Sequence, residues 1–253
     1  MTVQDIFDFL NSKYPVETAC GFDNVGTLVG DRNKTVTKAI VALDCTMPVI
    51  NEAVKNECEL IITHHPIIFN GIKSVLEDTL VYEIIKNGLT VISMHTNLDQ
   101  GDGGVNDCLC DVIGLKNIET VEAPDKYLLK KGEISPLSAD DFAKHLKTAL
   151  NYPVKYVGDG TIKNVLVCGG SGAQYYSIVK QNGCDALVTA DVKHNHFLEA
   201  AQNGVALYDC GHFNTEVVVI KPLYELLSNE FKDIKFIANY DSQIKTAEYG
   251  SYS

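Results

Sequence analysis

The chain has seven histidines, and all but His145 stand just after a short apolar run that reads as a strand. His64 and His65 follow Glu59-Leu-Ile-Ile-Thr63 and precede Pro66. His95 follows Leu89-Thr-Val-Ile-Ser93, with Asp99 four residues on. His194 and His196 come after Asp185-Ala-Leu-Val-Thr-Ala190 and Asp191. His212 follows Val205-Ala-Leu-Tyr-Asp209 and has Glu216 four residues on. Neutral imidazole is the commonest protein ligand for divalent transition metals, and carboxylates add charge and can bridge ions. One ion takes about three or four ligands. The candidates here exceed that number and fit two ions, which in such sites stand roughly 3.5–4 Å apart. Neighbouring side chains on extended backbone diverge, so His64 and His65 can each take a different ion. A helix starting near residue 212 would put His212 and Glu216 on one face. Asp99 or Glu216 can bridge the ions.

The elements that carry these residues alternate. A capping box opens at Thr2-Val-Gln-Asp5, and Ile6, Phe7 and Leu10 share a helical face. Strands are expected at 38–44, 59–63, 89–94, 164–168, 185–190 and 205–209. Helices are expected at 48–57, 79–88, 138–150 (capped by Ser138), 173–183, 196–204 and 215–231. The stretch 21–31 reads as a loop leading into a strand, and 116–136 is less regular. This alternation argues for α/β layers with largely parallel strands, beyond whose carboxyl ends ligands bind. There is also an internal echo. Lys38-Ala-Ile-Val returns as Lys163-Asn-Val-Leu. Asn56-Glu-Cys-Glu-Leu-Ile-Ile-Thr63 returns as Asn182-Gly-Cys-Asp-Ala-Leu-Val-Thr189. Asn87-Gly88 returns as Asn203-Gly204. The fold expected is therefore two similar α/β domains, layered and with mixed sheets, related by an internal pseudo-repeat. The division expected is 1–125 with 217–253 for the first domain and 126–216 for the second.

At 253 residues the chain has ample core for either one large or two small domains. Its net charge of −12 repels phosphate backbones, which disfavours nucleic acid as a partner. An anionic small substrate would then need local cations, and bound metal can supply them. The eight cysteines form no Cys-x-x-Cys pair and mostly sit in apolar runs, as reduced structural thiols do. No basic stretch followed by an apolar one opens the chain, and no apolar run approaches the roughly 18 residues of a membrane helix. A cytoplasmic protein without a membrane partner is expected.

Other motifs carry less. Cys168-Gly-Gly-Ser-Gly172 could cradle a phosphate on backbone N–H groups, but it lacks a P-loop ending and reads equally well as a tight turn. Asp102-Gly-Gly104 reads as a turn, Tyr175-Tyr176 as core, and His145 as one residue of an amphipathic helix.

Taken in order, Phe22-Asp-Asn-Val-Gly-Thr-Leu-Val-Gly-Asp31, Ala42-Leu-Asp-Cys-Thr46, Leu60-Ile-Ile-Thr-His-His-Pro-Ile-Ile-Phe69, Met94-His-Thr-Asn-Leu-Asp99, Cys168-Gly-Gly-Ser-Gly172, Asp185-Ala-Leu-Val-Thr-Ala-Asp-Val-Lys-His-Asn-His196 and Asp209-Cys-Gly-His-Phe-Asn-Thr-Glu216 resemble the Nif-three-like dinuclear metal family. Its members are also called type 2 homologues of GTP cyclohydrolase I. The likeness runs from about residue 3 to about residue 230. Where the family usually has Trp before Asp-Asn, this chain has Phe22. The resemblance implies two similar α/β domains with two metal ions between them, and a homo-hexamer built as a trimer of dimers. It implies His64, His65, Asp99, His212 and Glu216 as metal ligands. His95, Asp191, His194 and His196 then take outer or substrate-facing positions, and His95, His194 and His196 are the candidates for general acid or base.

Two readings of function stay open. In the first, two divalent transition metal ions (Zn, Fe, Mn, Ni or Co) make hydroxide from bound water and polarise an oxygen of the substrate. The chain is then a hydrolase of a nucleotide-like or other small anionic substrate, by purine-ring opening as in GTP cyclohydrolase chemistry or by phosphoester hydrolysis. In the second, the chain is a non-enzymatic metal-binding, trafficking or regulatory scaffold protein that works as an oligomeric ring.

Overall fold

Thr2 starts the first element. Its hydroxyl accepts the Asp5 N–H, and Asp5 accepts the Thr2 N–H, so the capping box closes around α1 (Val3–Lys13). Two orphan donors of the first turn are satisfied in this way. The computed structural model describes residues 1–242 and 244. The part of the expected first domain at 243 and 245–253 lies outside them.

The chain divides into two units. Unit 1 holds 1–104 and 219–240, and unit 2 holds 105–218 with residues 241, 242 and 244. In unit 1, α1 is followed by β1 (Gly26–Val29), β2 (Lys38–Ala42), α2 (Met47–Lys55), β3 (Leu60–Thr63), α3 (Leu80–Lys86), β4 (Thr90–Ser93) and α4 (Thr96–Gln100). The sheet order is β1-β4-β3-β2, with one later strand beyond β2. β2, β3 and β4 run parallel, and β1 is antiparallel to β4. Every residue of β3 and β4 is buried, as continuous apolar strands between helical layers require. Ile40, Ile50, Ile61, Ile84 and Val91 lie in the core of this unit.

Unit 2 contains α5 (Val105–Val112), β5 (Lys116–Glu122), β6 (Leu128–Ser138), α6 (Ala139–Leu150), β7 (Lys155–Val157), β8 (Thr161–Ser171), β9 (Ala186–Ala190), α7 (His194–Gln202), β10 (Ala206–Asp209) and α8 (His212–Glu216). Its sheet is six-stranded, in the order β5-β6-β8-β9-β10-β7. β8, β9 and β10 form a parallel trio, and the outer strands are antiparallel. Phe142, Leu146, Val165, Val188 and Tyr208 are among its core residues. The chain then returns to unit 1 with α9 (Ile220–Glu230) and β11 (Lys235–Ala238), which pairs parallel to β2.

The internal echo has a physical counterpart. Before β3, the Glu59 carboxylate accepts the N–H groups of Thr37 and Lys38. Before β9, the Asp185 carboxylate accepts the N–H groups of Lys163 and Asn164. Glu59 N donates to the Lys38 carbonyl, and Asp185 N to the Asn164 carbonyl. Gly88 and Gly204 end the matching helices at φ 63° and 65°, a backbone region that glycine enters without penalty. The same acid-anchored parallel trio is built twice.

Four expectations are corrected. The stretch 173–183 forms 3-10 turns at Ala173–Ile178 and Lys180–Asn182, not an α-helix. Its Tyr-Tyr-Ser-Ile-Val run has low helix propensity throughout. The stretch 116–136 carries β5 and most of β6. Lys116, Glu119 and Glu122 stand on the largely exposed edge strand β5, so no apolar run announces it. The helix expected over 215–231 is α8, a 3-10 turn at Val217–Val219, and then α9. Pro222 lacks an N–H and is tolerated only in a first turn, so the helix starts afresh just before it. Finally, the chain leaves unit 1 after Gly104 rather than after residue 125, because α5 and β5 pack with β6 and β8.

Candidate metal centre

In unit 1 the two adjacent histidines prolong the sheet. His64 N donates to the Ala42 carbonyl and His65 N to the Leu43 carbonyl, so both imidazoles sit on the ladder at the carboxyl end of β3. His64 is fully buried, and its Nδ1 lies 2.9 Å from the Met94 carbonyl. A carbonyl only accepts, so Nδ1 carries the proton and Nε2 keeps its lone pair. That Nε2 lies 3.4 Å from Asp99 Oδ1. His65 Nδ1 is 2.7 Å from Asp44 Oδ1, and His95 Nδ1 is 2.8 Å from Asp23 Oδ1. One ring nitrogen from each of His64, His65 and His95 lies within 4.8 Å of the other two. Asp99, on α4, is buried beside His64.

Asp23 is held from several sides. Its side chain is 0% exposed. It accepts from His95 and from the Asn24 N–H, the Thr96 N–H and the Thr96 hydroxyl. Burial pushes the carboxyl up, but the hydrogen bonds from His95 and Thr96 outweigh it and hold Asp23 down at about 2. Phe22, beside it, is exposed and lies near the Phe69 ring.

In unit 2, α8 places His212 and Glu216 one turn apart. His212 Nε2 is 3.1 Å from Glu216 Oε2, and its Nδ1 is 2.7 Å from Asp191 Oδ2. The hydrogen bond to Glu216 raises the His212 imidazole most, burial opposes it, Asp191 adds to it, and the net is about 9. Glu216 is buried against Gly169 and Gly170 in the irregular end of β8. A Cβ on Gly170, at φ 59°, would run into the Glu216 carboxylate. The three glycine N–H groups of this stretch are already used: Gly169 donates to Asn106, Gly170 to Thr215 and Gly172 to Thr189. Cys168–Ser171 is thus the irregular end of β8, whose register against β9 shifts between Val167 and Ser171, rather than the tight turn or phosphate cradle expected there, and it backs Glu216. A cavity of about 370 Å³ opens beside His212, lined by Tyr152, Asp191, Asp209, Phe213 and Asn214 among others.

The remaining candidates lie elsewhere. His194 is exposed at the start of α7. His196 is half-buried near the Tyr176 ring, with its Nδ1 buried and without a hydrogen bond. Neither belongs to a metal-holding group among the described residues. His145 lies against Phe142 and contacts the Ile113 carbonyl, a packing role. Asp23 and Asp44 went unnoticed as site residues in the sequence. The one available signal was an acid just beyond a strand end, at Asp44.

The donors fit a divalent transition metal. Each of His64, His65, His95 and His212 has Nδ1 held by an oxygen acceptor, which turns Nε2 towards a ligand, the usual arrangement of metal-bound imidazole. The acids are oxygen donors and no thiol joins the groups, which suits the borderline first-row ions.

The family model described as Duf34/NIF3 (NGG1p interacting factor 3) matches residues 1–244. The chain belongs to the DUF34/NIF3 family. A Clostridium perfringens relative named GTP cyclohydrolase 1 type 2 homolog is 33% identical over 256 residues, covering 96% of this chain and 98% of the relative. The crystal structure of a Staphylococcus aureus hypothetical protein is 31% identical, with a TM-score of 0.91 over 98% of this chain and 99% of that one. Reduced HcgD from Methanocaldococcus jannaschii is 26% identical, with a TM-score of 0.82 over 94% and 97%. Family membership and the clustered His, Asp and Glu side chains together mark a metal-binding protein. No helix among the described residues is long and apolar enough to cross a membrane.

Proposed function

We propose that this DUF34/NIF3 protein is a two-metal hydrolase of a nucleotide-like or other small anionic substrate. The observation that carries this reading is the set of imidazoles and buried acids pre-aimed by Nδ1 contacts at the strand ends. His64, His65, Asp99, His212 and Glu216, the ligands implied by the family resemblance, are the side chains proposed to hold the ions. When bound, such ions bring a water towards ionisation near neutral pH and polarise a carbonyl, imine-like carbon or phosphoryl oxygen. The chain's own part is to fix the imidazole tautomers, to keep two carboxylates buried, and to offer space for a substrate. The cavity beside His212 has the volume of a small-molecule pocket, which runs about 300–1,000 Å³. Its lining includes the carboxylates Asp191 and Asp209 and, among the described residues, no Lys or Arg. A substrate's anionic group would therefore be drawn to the ions, and its neutral, donor-rich part to the cavity. A homo-hexamer, the assembly implied by the family resemblance, is the working unit in this reading.

The test is turnover by protein loaded with Zn, Mn or Fe. Loss of purine absorbance reports ring opening, and inorganic phosphate reports ester hydrolysis. Activity that disappears on chelation and in His65→Ala is expected. Fully loaded protein that turns over no nucleotide would leave the scaffold reading in its place.

A further inference from the structure

We infer that Phe22 and Phe69 form a platform on which a flat heteroaromatic ring of the substrate stacks. The inference rests on the hydrolase reading above and narrows its substrates to molecules that carry such a ring. It starts from aromatic side chains left on the surface. Phe22 is 68% exposed and Phe69 is 45% exposed. Phe69 lies in the stretch 64–79, which runs from β3 to α3 without a helix or strand. Loops of this length without structure of their own are uncommon in compact domains, and those that occur are often functional. Exposed aromatic rings that are brought together mark a binding surface, whereas scattered ones do not.

The pairing of the two rings is built. The Asn24 side-chain amide donates to the Ile68 carbonyl, which ties the segment of Phe22 to the segment of Phe69. The ring centroids are 6.2 Å apart and the planes are tilted by 47°, so the rings form an open wedge and do not cover each other's faces. The wedge adjoins the imidazoles of unit 1. Phe69 meets the His95 ring edge-on at 6.2 Å, and His95 packs on His64 and His65. Asp23, next to Phe22, holds His95 Nδ1 and is held in turn by the N–H and hydroxyl of Thr96. The backbone that presents Phe22 is therefore tied to the same imidazole that Phe69 touches. This contact separates the pair from Ile72, Val75 and Leu76, the exposed aliphatic side chains farther along the loop. A second copy of the chain would cover aliphatic side chains as readily. Aromatic rings set against a candidate reaction site point instead to a small, flat ligand. A nucleobase or related heterocycle has a π-face that stacks on aromatic side chains whatever its substituents. Stacking also needs no cation, which suits a chain of net charge −12.

The chain has no tryptophan, so Phe22→Trp supplies a single reporter at an exposed position. The experiment titrates Zn-loaded Phe22→Trp with guanosine, adenosine and ribose 5-phosphate and follows the tryptophan emission. It is repeated with Phe69→Ala added, and light scattering gives the solution mass of each variant. Both side chains are exposed, so the variants should melt as wild type does. Saturable quenching by the nucleosides and none by ribose 5-phosphate is expected. Nucleoside affinity should fall about 5–150-fold once Phe69 is replaced, the range for loss of one aromatic stacking partner. No saturable quenching, or quenching that Phe69→Ala leaves unchanged, would overturn the platform. Absent nucleoside binding with a lower solution mass in Phe69→Ala would overturn it in favour of a second copy of the chain over the rings. The hydrolase reading fails separately. Nucleoside stacking without turnover of any nucleotide would sink the hydrolase and leave the ring site. Phosphoesters without a ring, turned over as fast as nucleotides, would do the reverse.

Discussion

Four imidazoles in this chain are fixed through Nδ1, His64 by a carbonyl and His65, His95 and His212 by carboxylates. Fixing the ring before an ion arrives removes rotamer freedom that binding would otherwise have to remove. His65→Ala or Glu216→Ala should therefore lose about half or more of the bound metal, measured per protomer by elemental analysis. Either variant should keep its fold by circular dichroism, because neither side chain belongs to the apolar core of its unit; full metal content in either would refute the site. His212 adds a pH dependence. Its acidic neighbours raise it to about 9, so without metal it holds a proton at neutral pH. The stability from this pairing is complete below its ordinary value of 6.5 and fades as pH rises through about 9. Metal must displace that proton, so affinity should climb by up to about tenfold per pH unit and level off above about 9. Chelator competition across that range measures it, and a flat profile would contradict it. The histidines were legible in the sequence because each follows an apolar run. Asp23 and Asp44 were not, because their roles depend on partners 72 and 21 positions away that only tertiary packing brings close.

Elements explain why those side chains stay put. The parallel strands were readable as bounded apolar runs, since burial on both faces leaves no room for polar alternation. The β5–β6 hairpin escaped notice because its edge strand is charged and exposed, which protects it against edge-to-edge pairing. The acid anchors Glu59 and Asp185 do the same task in each unit, so Glu59→Ala and Asp185→Ala should each cost about 1–2 kcal/mol in urea unfolding. Loss from only one of them would mean that the two trios are not held alike. The glycines at the irregular end of β8 make a sharper prediction. Gly170→Ala places a methyl against Glu216 in a left-handed backbone, so both stability and metal content should fall. Gly183→Ala is the control: it has φ 69° but open space around it, so it should cost about 1–2 kcal/mol of backbone strain and leave metal content unchanged.

For the whole molecule, the acidic surface and the metal centre have opposite effects. A net charge of −12 opposes compaction through self-repulsion, and bound cations offset part of it. Metal that binds only the folded state should raise stability by about 2.7 kcal/mol at a free concentration one hundred times its Kd. Melting curves with Zn and with a chelator measure this, and coincident curves would exclude such linkage. If the working unit is the hexamer, light scattering should return six times the chain mass of 27.7 kDa.

The route of the chain also bears on its synthesis. The sheet of unit 1 lacks β11 until residue 238 has been made, and all of 105–218 is made before that. Through this interval β2 offers Ala39, Ile40 and Val41 along an unpaired edge, the kind of surface that recruits foreign strands. The nascent chain must therefore shelter the layer that carries its paired histidines until β11 leaves the ribosome. A message truncated before codon 235 should yield an aggregating product even though the histidines at 64, 65, 95 and 212 have already been translated.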